Sequence, residues 1–278
     1  MKLDSDVQLS RLTSFKLQGS VKTVLTIEKE SDLEHVPDSF FIIGGGSNIV
    51  ISSNFSKPLI RVSPSFCSIE KDGDLVTCSA GTSVSQLLKW MEKNGCSGLE
   101  FAAGVPATIG GMVAMNFGCW GSEVSDYVES IFVYSKSQGF RWIPRKNYQV
   151  GYRWSSFSDS DDIILALRLK TVPMKPSDMK KKVLENINER KSKQPVYERT
   201  FGSVFKNPLP KKAGQLIESV GLKGYQIGDV IISKKHANFF ENKLAATFSD
   251  TIKLIDYIKQ KVSQEHNINL ECEVKVIK

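Results

Sequence analysis

The three consecutive glycines at positions 44–46 are the feature that most restricts the fold of this chain. They follow the apolar run 40–43 and precede Ser47, Asn48 and a second apolar run, 49–51. Glycine adopts backbone conformations that side chains forbid and lets a bulky group approach closely. Successive amides in such a turn form a concave surface that suits phosphate oxygens. The turn has neither the GK[ST] of a Walker loop nor the GxGxxG fingerprint, so it predicts an anion-binding loop or simply a tight strand connection.

A second glycine-rich stretch covers residues 98–121 and places its glycines among apolar side chains rather than in a polar linker. Such glycines indicate backbone that lies close to a flat or extended group. A dinucleotide offers both a diphosphate and a large ring system. Two glycine-rich loops in one region therefore favour a dinucleotide ligand.

The composition is that of an ordinary globular protein, with 278 residues, 41% hydrophobic and 24% charged. No apolar run reaches the roughly 18 residues of a membrane span, and the first residues lack a secretory pattern, so we expect a cytoplasmic protein without a membrane partner. The five scattered cysteines contain no CxxC pair and predict reduced thiols. No cluster of histidines and carboxylates has metal-ligand spacing, so we expect no metal.

The net charge of +7 is accompanied by a lysine-rich segment, residues 175–193. This segment is a candidate nucleic-acid surface, but it has no interleaved aromatic side chains to stack on bases. A solvated helix face explains it better, so we expect no nucleic-acid partner. A mild basic excess also suits an enzyme that acts on phosphorylated substrates.

Short β-branched and aromatic runs bounded by turn residues predict strands over 40–43, 59–62, 75–78, 131–134, 162–169, 230–232, 238–240 and 268–277. Apolar residues at helical spacing predict helices over 83–94, 177–193, 213–220 and 249–266. Thr82 or Ser83 is expected to cap the first helix and Gly95 to end it. The composition changes after Pro173, which places a domain boundary there.

Six motifs, in this order, resemble the UDP-N-acetylenolpyruvoylglucosamine reductase (MurB) family: residues 44–48, 98–118, 151–153, 202–208, 233–239 and 273–274. Each motif alone is modest evidence, whereas their shared order covers nearly the whole chain. Residues 190–195 and the short spacing between Arg153 and Ser203 are similar to the shorter branch of this family, which lacks a tyrosine-containing loop.

The resemblance implies an α+β fold in two domains. Residues 1–173 would form an FAD-binding domain of the vanillyl-alcohol-oxidase (PCMH) type, with two small α/β subdomains divided near 64–70. Residues 174–278 would form an α+β substrate-binding domain. A monomer is expected.

The resemblance also implies an NADPH-dependent, FAD-mediated reduction in peptidoglycan precursor synthesis. A hydride from flavin N5 would convert UDP-N-acetylglucosamine enolpyruvate into UDP-N-acetylmuramate. The implied cofactor-binding residues are Gly44, Gly45, Gly46, Ser47, Asn48, Ile49, Val105, Pro106, Thr108, Gly110, Gly111, Gly118 and Ile164. The implied substrate-binding residues are Tyr152, Arg153, Lys206, Asn207 and His236.

Arg153, Ser203 and Glu273 are the candidate catalytic residues. Reducing an enol ether conjugated to a carboxylate requires a cation at that carboxylate, and Arg153 can bind it through two parallel hydrogen bonds. The family role of Ser203 is proton donor, which requires a strongly basic developing enolate because a serine hydroxyl is a weak acid. Without the resemblance, a surface salt bridge for Arg153 and a structural turn for Ser203 would be the simpler interpretations.

Glu273 is expected on the final strand, where Glu271 would share its face because side chains repeat every two residues. The resemblance selects Glu273 for stabilising the enol intermediate, although exposed edge-strand carboxylates are an alternative for both. His236 is expected to be structural or to contact substrate rather than to act as a base, because no serine–histidine–carboxylate pattern accompanies it.

Several positions depart from the family pattern, among them Gln18 and Ala107, where glycine is usual, and the bulky segment 117–120. Two other functions stay open. Another flavin oxidoreductase on the same scaffold would need a different C-terminal half, and a protein that only binds a nucleotide sugar would have lost turnover.

Overall fold

The computed structural model describes all 278 residues. Its α-helices are α1 (Leu9–Leu12), α2 (Val84–Lys93), α3 (Ile109–Ala114), α4 (Pro176–Lys193), α5 (Ala213–Ser219) and α6 (Phe248–His266). None of them combines the length and the hydropathy that crossing a membrane requires.

The strands, most of them short, are β1 (Lys2–Gln8), β2 (Ser20–Ile27), β3 (Phe41–Ile42), β4 (Ile49–Ile51), β5 (Leu59–Val62), β6 (Glu70–Asp72), β7 (Leu75–Ser79), β8 (Cys96–Ser97), β9 (Gly118–Cys119), β10 (Ser122–Glu123), β11 (Val128–Ser135), β12 (Gly139–Pro144), β13 (Val150–Gly151), β14 (Trp154–Ser155), β15 (Ile163–Lys170), β16 (Val172–Pro173), β17 (Gln226–Ile227), β18 (Val230–Ile232), β19 (Phe240–Asn242) and β20 (Lys275–Ile277).

The chain divides into two compact units, each made of several segments. The first unit comprises residues 1–4, 24–45 and 57–189, and the second comprises residues 5–23, 46–56 and 190–278. The chain passes from the first unit to the second between Gly45 and Gly46, inside the glycine turn. The assignment of residues 1–173 and 174–278 to flavin and substrate concerns function and stays a prediction.

A five-stranded antiparallel sheet with the order β12–β11–β15–β7–β6 forms the centre of the first unit. The central strand β15 is buried on both faces. Ile164 and Leu167 join the core that includes α2 and α3, whereas Ile163 and Leu165 join a second core with residues of β2 and β5. This burial explains the continuous apolar run that predicted the strand.

Helix α2 begins and ends as the sequence predicts. Ser83 caps it through a reciprocal pair with Gln86, in which each side chain accepts a hydrogen bond from the other's backbone amide. Gly95, with φ +65°, follows the helix in the left-handed conformation. The buried face holds Leu87 and Met91, at the helical spacing that the sequence shows.

A second sheet has the order β1–β2–β5–β3, and both β2 and β3 run parallel to β5. Because only Ile43 separates β3 from the glycine turn, Gly44 lies just beyond the carboxyl end of a parallel strand. Open sheets with parallel strands commonly bind ligands at that end.

The second unit contains a three-stranded antiparallel sheet, β17–β18–β19. Helix α6 packs against β17 and β18 and also contacts α5. In addition, β4 pairs in parallel with β20. The apolar run that follows the glycine turn is therefore tied to the C-terminal strand of the same unit.

Two predicted strands differ from the observed ones. The strand predicted over 268–277 is limited to Lys275–Ile277, and the strand predicted over 238–240 is displaced to Phe240–Asn242. Residues 268–274 alternate in burial but make a single bridge, between Cys272 and Phe205. The alternation therefore reflects burial on one side, and the pairing with residues 204–206 is too short to form a regular ladder.

Candidate active site

In the first unit, Gly44 and Gly45 lie against the backbone of residues 106–111. A Cβ on Gly44 would lie 2.6 Å from Thr108 Oγ1, and a Cβ on Gly45 would lie 3.0 Å from the Pro106 carbonyl oxygen. Both glycines are exposed to solvent on their other side. The missing side chains thus let the two glycine-rich loops approach each other.

Thr108 begins α3 by accepting a hydrogen bond from the amide of Gly111. Gly110 is buried, and its amide donates to the carbonyl of Ala80 at 2.9 Å. A Cβ on Gly110 would lie 2.7 Å from the Cβ of Ala80, so this glycine is required for packing. The open surface of the loop consists instead of Gly104 and Pro106, which are exposed.

In the second unit, Gly46 is held close to the end of α1. A Cβ on Gly46 would lie 1.8 Å from the carbonyl oxygen of Leu12, and its φ of +62° is also unfavourable for other residues. The carbonyl of Gly46 accepts a hydrogen bond from the amide of Ser14. Position 46 therefore requires glycine for two independent reasons.

The amides of residues 44–47 donate to no acceptor in the protein. Four successive unpaired N–H groups are the arrangement expected for binding phosphate oxygens. Asn48 differs, because its side-chain amide donates to the Glu273 carbonyl at 3.1 Å and its own carbonyl accepts from Lys275. The turn thus has the glycine backbone and the free donors that a dinucleotide diphosphate requires, so its residues fit FAD.

The remaining predicted cofactor residues occupy varied positions. Ile49 begins β4, Val105 lies in the glycine-rich loop, and Ile164 is buried in β15. Gly118 is buried in β9, where a Cβ would lie 2.8 Å from the carbonyl of Ser122. Like Gly110, Gly118 is explained by packing within the protein.

Arg153 lies in the two-residue turn of a short hairpin between β13 and β14. Its φ of +56° is in the left-handed region that non-glycine residues rarely adopt. The guanidinium lies 5.7 Å from the ring centroid of Phe117 and 5.1 Å from that of Tyr152. These aromatic faces stabilise the cation and orient it.

The hairpin of Arg153 is anchored by Asn116, which is 1% exposed. The Asn116 side-chain amide donates to the carbonyl of Gly151 at 3.0 Å and to Glu123 at 2.8 Å. The side-chain oxygen of Asn116, Oδ1, is buried without a hydrogen-bond partner in the protein. Asn116 lies within the motif of residues 98–118 but received no role there; an asparagine among apolar residues beside Gly118 is the signal that the sequence offers.

Ser203 belongs to an extended segment of the second unit, residues 203–206. It forms an isolated β-bridge with Phe239, and Phe205 forms another with Cys272. The Ser203 side chain is partly exposed and makes no hydrogen bond within the protein. Its hydroxyl is therefore available to a ligand.

Glu273 is not on the final strand, which corrects the expectation from the sequence. The amides of Glu273 and Val274 both donate to the carbonyl of Val204, at 2.8 and 3.3 Å. This shared acceptor breaks the two-residue alternation, so Glu271 and Glu273 do not repeat on the face of one strand. Glu273 lies in the chain segment that pairs with the residues following Ser203.

Lys206 and Asn207 continue the Ser203 segment. Lys206 lies 3.4 Å from Glu271, an exposed and therefore weak ion pair. The side-chain carbonyl of Asn207 accepts a hydrogen bond from the amide of Ala213, the first residue of α5. Asn207 thus orients α5 whether or not it contacts substrate.

His236 is partly buried, and its Nδ1 accepts a hydrogen bond from the amide of Asn238 at 3.2 Å. Burial lowers the pKa of His236, which favours the neutral ring. With Nδ1 as acceptor, the proton of the neutral ring is on Nε2. No carboxylate hydrogen-bonds to the ring as in a catalytic triad, and the expectation that His236 is not a general base stays a prediction.

The five cysteines are free, as the sequence predicts. Burial raises the pKa of the Cys67 thiol to about 11, with a smaller contribution from Glu70. No group of histidine, cysteine and carboxylate side chains is arranged to hold a metal ion.

Comparison with known proteins identifies the family. The chain is 38% identical to the UDP-N-acetylenolpyruvoylglucosamine reductase of Halalkalibacterium halodurans, over 85% of this chain and 79% of that protein. It is 34% identical to the enzyme of the same name from Prochlorococcus marinus, over 99% and 98% of the two chains. The chain belongs to the UDP-N-acetylenolpyruvoylglucosamine reductase family.

Domain and structure comparisons agree with this family. The model of the UDP-N-acetylenolpyruvoylglucosamine reductase C-terminal domain matches residues 194–277, and a model of an FAD binding domain matches residues 20–139. The crystal structure of UDP-N-acetylenolpyruvylglucosamine reductase from Thermus caldophilus has a TM-score of 0.88 and 28% identity, with 100% of both chains covered.

Membership of the UDP-N-acetylenolpyruvoylglucosamine reductase family confirms the predicted α+β fold with an FAD-binding region and a distinct C-terminal domain. It also confirms FAD as the cofactor and a flavin-dependent oxidoreductase as the class of enzyme. Two of the residues that depart from the family pattern are exposed. The backbone amide of Gln18 donates to the carbonyl of Ala246, and the side chain of Trp120 lies in the turn between β9 and β10.

Proposed function

We propose that this protein reduces UDP-N-acetylglucosamine enolpyruvate to UDP-N-acetylmuramate, with NADPH as the electron donor, in peptidoglycan precursor synthesis. When bound, FAD would supply the hydride chemistry that links NADPH to the substrate double bond. Residues 1–173 serve the flavin and residues 174–278 serve the substrate. The relatives with this activity, together with the free amides of residues 44–47, support the proposal.

Arg153 binds the carboxylate of the enolpyruvyl group. When a hydride adds to one carbon of the double bond, negative charge spreads from the neighbouring carbon onto this carboxylate. A guanidinium offers two parallel N–H donors and remains charged. The left-handed backbone and the rings of Phe117 and Tyr152 hold these donors before substrate arrives, which is the condition for electrostatic stabilisation of a transition state.

Ser203 donates the proton that completes the reduction. Hydride and proton together saturate the double bond, and the Ser203 alkoxide recovers its proton from solvent. A serine hydroxyl is a weak acid, so the transfer requires a developing enolate basic enough to take the hydroxyl proton. The Ser203 hydroxyl makes no hydrogen bond to the protein, which leaves its proton available to the substrate.

Glu273 stabilises the enol form of the intermediate through its carboxyl group. Substrate binding by Tyr152, Lys206, Asn207 and His236 belongs to the same proposal. The single observation that best supports the catalytic assignment is the pairing of the Glu273 segment with the Ser203 segment through Val204. Two residues distant in sequence are thereby held on neighbouring backbone segments.

Stopped-flow absorbance of the bound flavin tests the donor and the acceptor separately. Mixing the oxidised enzyme with NADPH under anaerobic conditions should bleach the flavin absorbance. Subsequent addition of UDP-N-acetylglucosamine enolpyruvate should restore it at a rate consistent with turnover. A flavin that NADPH reduces but this substrate does not reoxidise would contradict the proposed acceptor, and a protein without flavin would favour the binding-only alternative.

A further inference from the structure

The side chain of Asn238 forms hydrogen bonds with both backbone groups of Phe205, its N–H and its carbonyl. Its Oδ1 accepts a hydrogen bond from the Phe205 amide at 3.0 Å, and its Nδ2 donates to the Phe205 carbonyl at 2.8 Å. The main-chain carbonyl of Asn238 also accepts from the amide of Val204 at 2.9 Å. Three hydrogen bonds thus join one residue to the two residues that follow Ser203.

On the side of the segment that faces Asn238, these side-chain bonds take the place of backbone bonds that a neighbouring strand would make to Phe205. Phe205 and Asn238 are almost completely buried, at 0% and 4% exposure, so water cannot satisfy the Phe205 peptide groups. A primary amide has one acceptor and two donors and can imitate the backbone of a neighbouring strand. Buried peptide groups without partners are strongly unfavourable, so the Asn238 amide determines the path of the segment.

Asn238 is itself held in place by the preceding turn. The backbone amide of Asn238 donates a hydrogen bond to Nδ1 of His236. The backbone amide of His236 in turn donates to the hydroxyl oxygen of Ser233 at 3.3 Å. The amide of Phe239 closes the turn on the carbonyl of His236 at 2.9 Å. The orientation of the Asn238 side chain is therefore established before any ligand binds.

We propose that Asn238 is a positioning residue for Ser203, which it acts on through the backbone of Phe205 and Val204. The role rests on the proposed function, in which Ser203 is the proton donor. Asn238 itself does not touch the reacting atoms. It keeps the Ser203 hydroxyl at one distance and direction, and a proton transfer is sensitive to both.

Asn238→Ala removes both side-chain bonds to Phe205, and Asn238→Asp keeps the size and the acceptor while it removes the donor to the Phe205 carbonyl. In both variants the reduction of bound flavin by NADPH should stay within about twofold of wild type. Reoxidation by the enolpyruvyl substrate should slow by roughly 10- to 100-fold, the scale of a catalytic group misplaced by about 1 Å. The solvent deuterium isotope effect on reoxidation should increase, because proton transfer limits the rate more strongly.

Asn242→Ala is the matched control. Asn242 is 2% exposed and also bonds to backbone, donating to the carbonyls of Phe15 and Lys16 and accepting from the amide of Ala246. None of these groups belongs to the Ser203 segment. Its loss should lower the urea midpoint at least as much as Asn238→Ala does, without a selective effect on reoxidation or on the isotope effect.

The double variant Ser203→Ala/Asn238→Ala separates the two assignments. If Asn238 acts through Ser203, adding Asn238→Ala to Ser203→Ala should change reoxidation by less than about twofold. Wild-type reoxidation in Asn238→Ala, or equal slowing of both half-reactions in Asn238→Ala and Asn242→Ala, would overturn the positioning role. Undiminished reoxidation in Ser203→Ala would instead overturn the proposed proton donor, and with it the basis for this role.

Discussion

The backbone amide of Glu273 donates a hydrogen bond of 2.8 Å to the carbonyl oxygen of Val204. Val204 directly follows Ser203, so the two candidate catalytic residues of the second unit are separated by one peptide bond and one hydrogen bond. The amide of Val204 bonds in the opposite direction, to the carbonyl of Asn238. A middle segment with partners on both sides holds Ser203 more firmly than a surface turn would.

Ser203→Ala should leave the reduction of flavin by NADPH close to wild type and slow the reoxidation of flavin by the enolpyruvyl substrate. The reason is that only the second half-reaction requires a proton at the substrate carbon. A loss of roughly 10²- to 10⁴-fold is expected for removal of a general acid. Stopped-flow traces of both halves provide the measurement. Ser249→Ala, an exposed serine at the start of α6, is the control, and equal slowing of both halves would contradict the role.

Arg153→Lys should not restore substrate reduction, because an ammonium group cannot reproduce the two parallel donors of the guanidinium or its stacking on Phe117. We expect kcat/KM for the enolpyruvyl substrate to fall by about 10-fold or more, with unchanged flavin content. Arg168→Lys is a suitable control, since Arg168 also lies over an aromatic ring of the first unit, 4.2 Å from the Trp142 centroid. Full activity in Arg153→Lys would mean that the carboxylate is bound by another residue.

Gly44→Ala should reduce the amount of FAD that copurifies with the protein. The new Cβ would lie 2.6 Å from Thr108 Oγ1, and moving that hydroxyl away would cost about 1 kcal/mol by removing the cap of α3. The turn would also lose space beside its free amides. Visible flavin absorbance relative to protein concentration measures the effect. In Gly73→Ala, where no atom lies within 4 Å of the new Cβ, flavin content should be unchanged despite a φ of +56°.

The free energy of unfolding should decrease as pH falls below about 6.5, in part because of His236. Burial lowers the pKa of His236 in the folded protein, so the unfolded chain binds a proton first. The stabilisation is complete above the unfolded pKa and is lost between that value and the lower folded pKa. Urea titrations at several pH values should show a flatter dependence in His236→Gln.

The local elements of this fold were predictable because their signals lie within a few residues. Of the two residues predicted as the cap of α2, Thr82 and Ser83, the structure has Ser83, and Gly95 follows the end of the helix as predicted. The regular alternation of residues 268–274 was misleading, since it matches the burial of Leu270 and Val274 but says nothing about whether a neighbouring strand is present. Period-two patterns report which side is buried, and hydrogen-bond partners have to be found elsewhere in the chain.

Candidate site residues could be named from the sequence only where they lie in a family motif, and their roles stay predictions. Arg153, Ser203 and Glu273 follow from the family resemblance, and the free amides of residues 44–47 follow from three glycines in succession. Asn116 and Asn238 lie inside two of the family motifs but received no role, because their importance depends on backbone groups 35 and 33 residues away in the sequence. An asparagine inside an apolar run is the available hint, because a buried amide requires partners.

The hydrogen bonds of Val204 to Asn238 on one side and to Glu273 on the other also affect local unfolding of the second unit. Any fluctuation that separates the Glu273 segment from Val204, or Val204 from Asn238, exposes buried peptide groups at once. Because these hydrogen bonds are lost in the same fluctuation, the amide protons of Val204, Phe205 and Glu273 should exchange with solvent together. Ser203 and Glu273 would then become disordered in a single event, and the enzyme would spend almost no time with one of them in place and the other displaced.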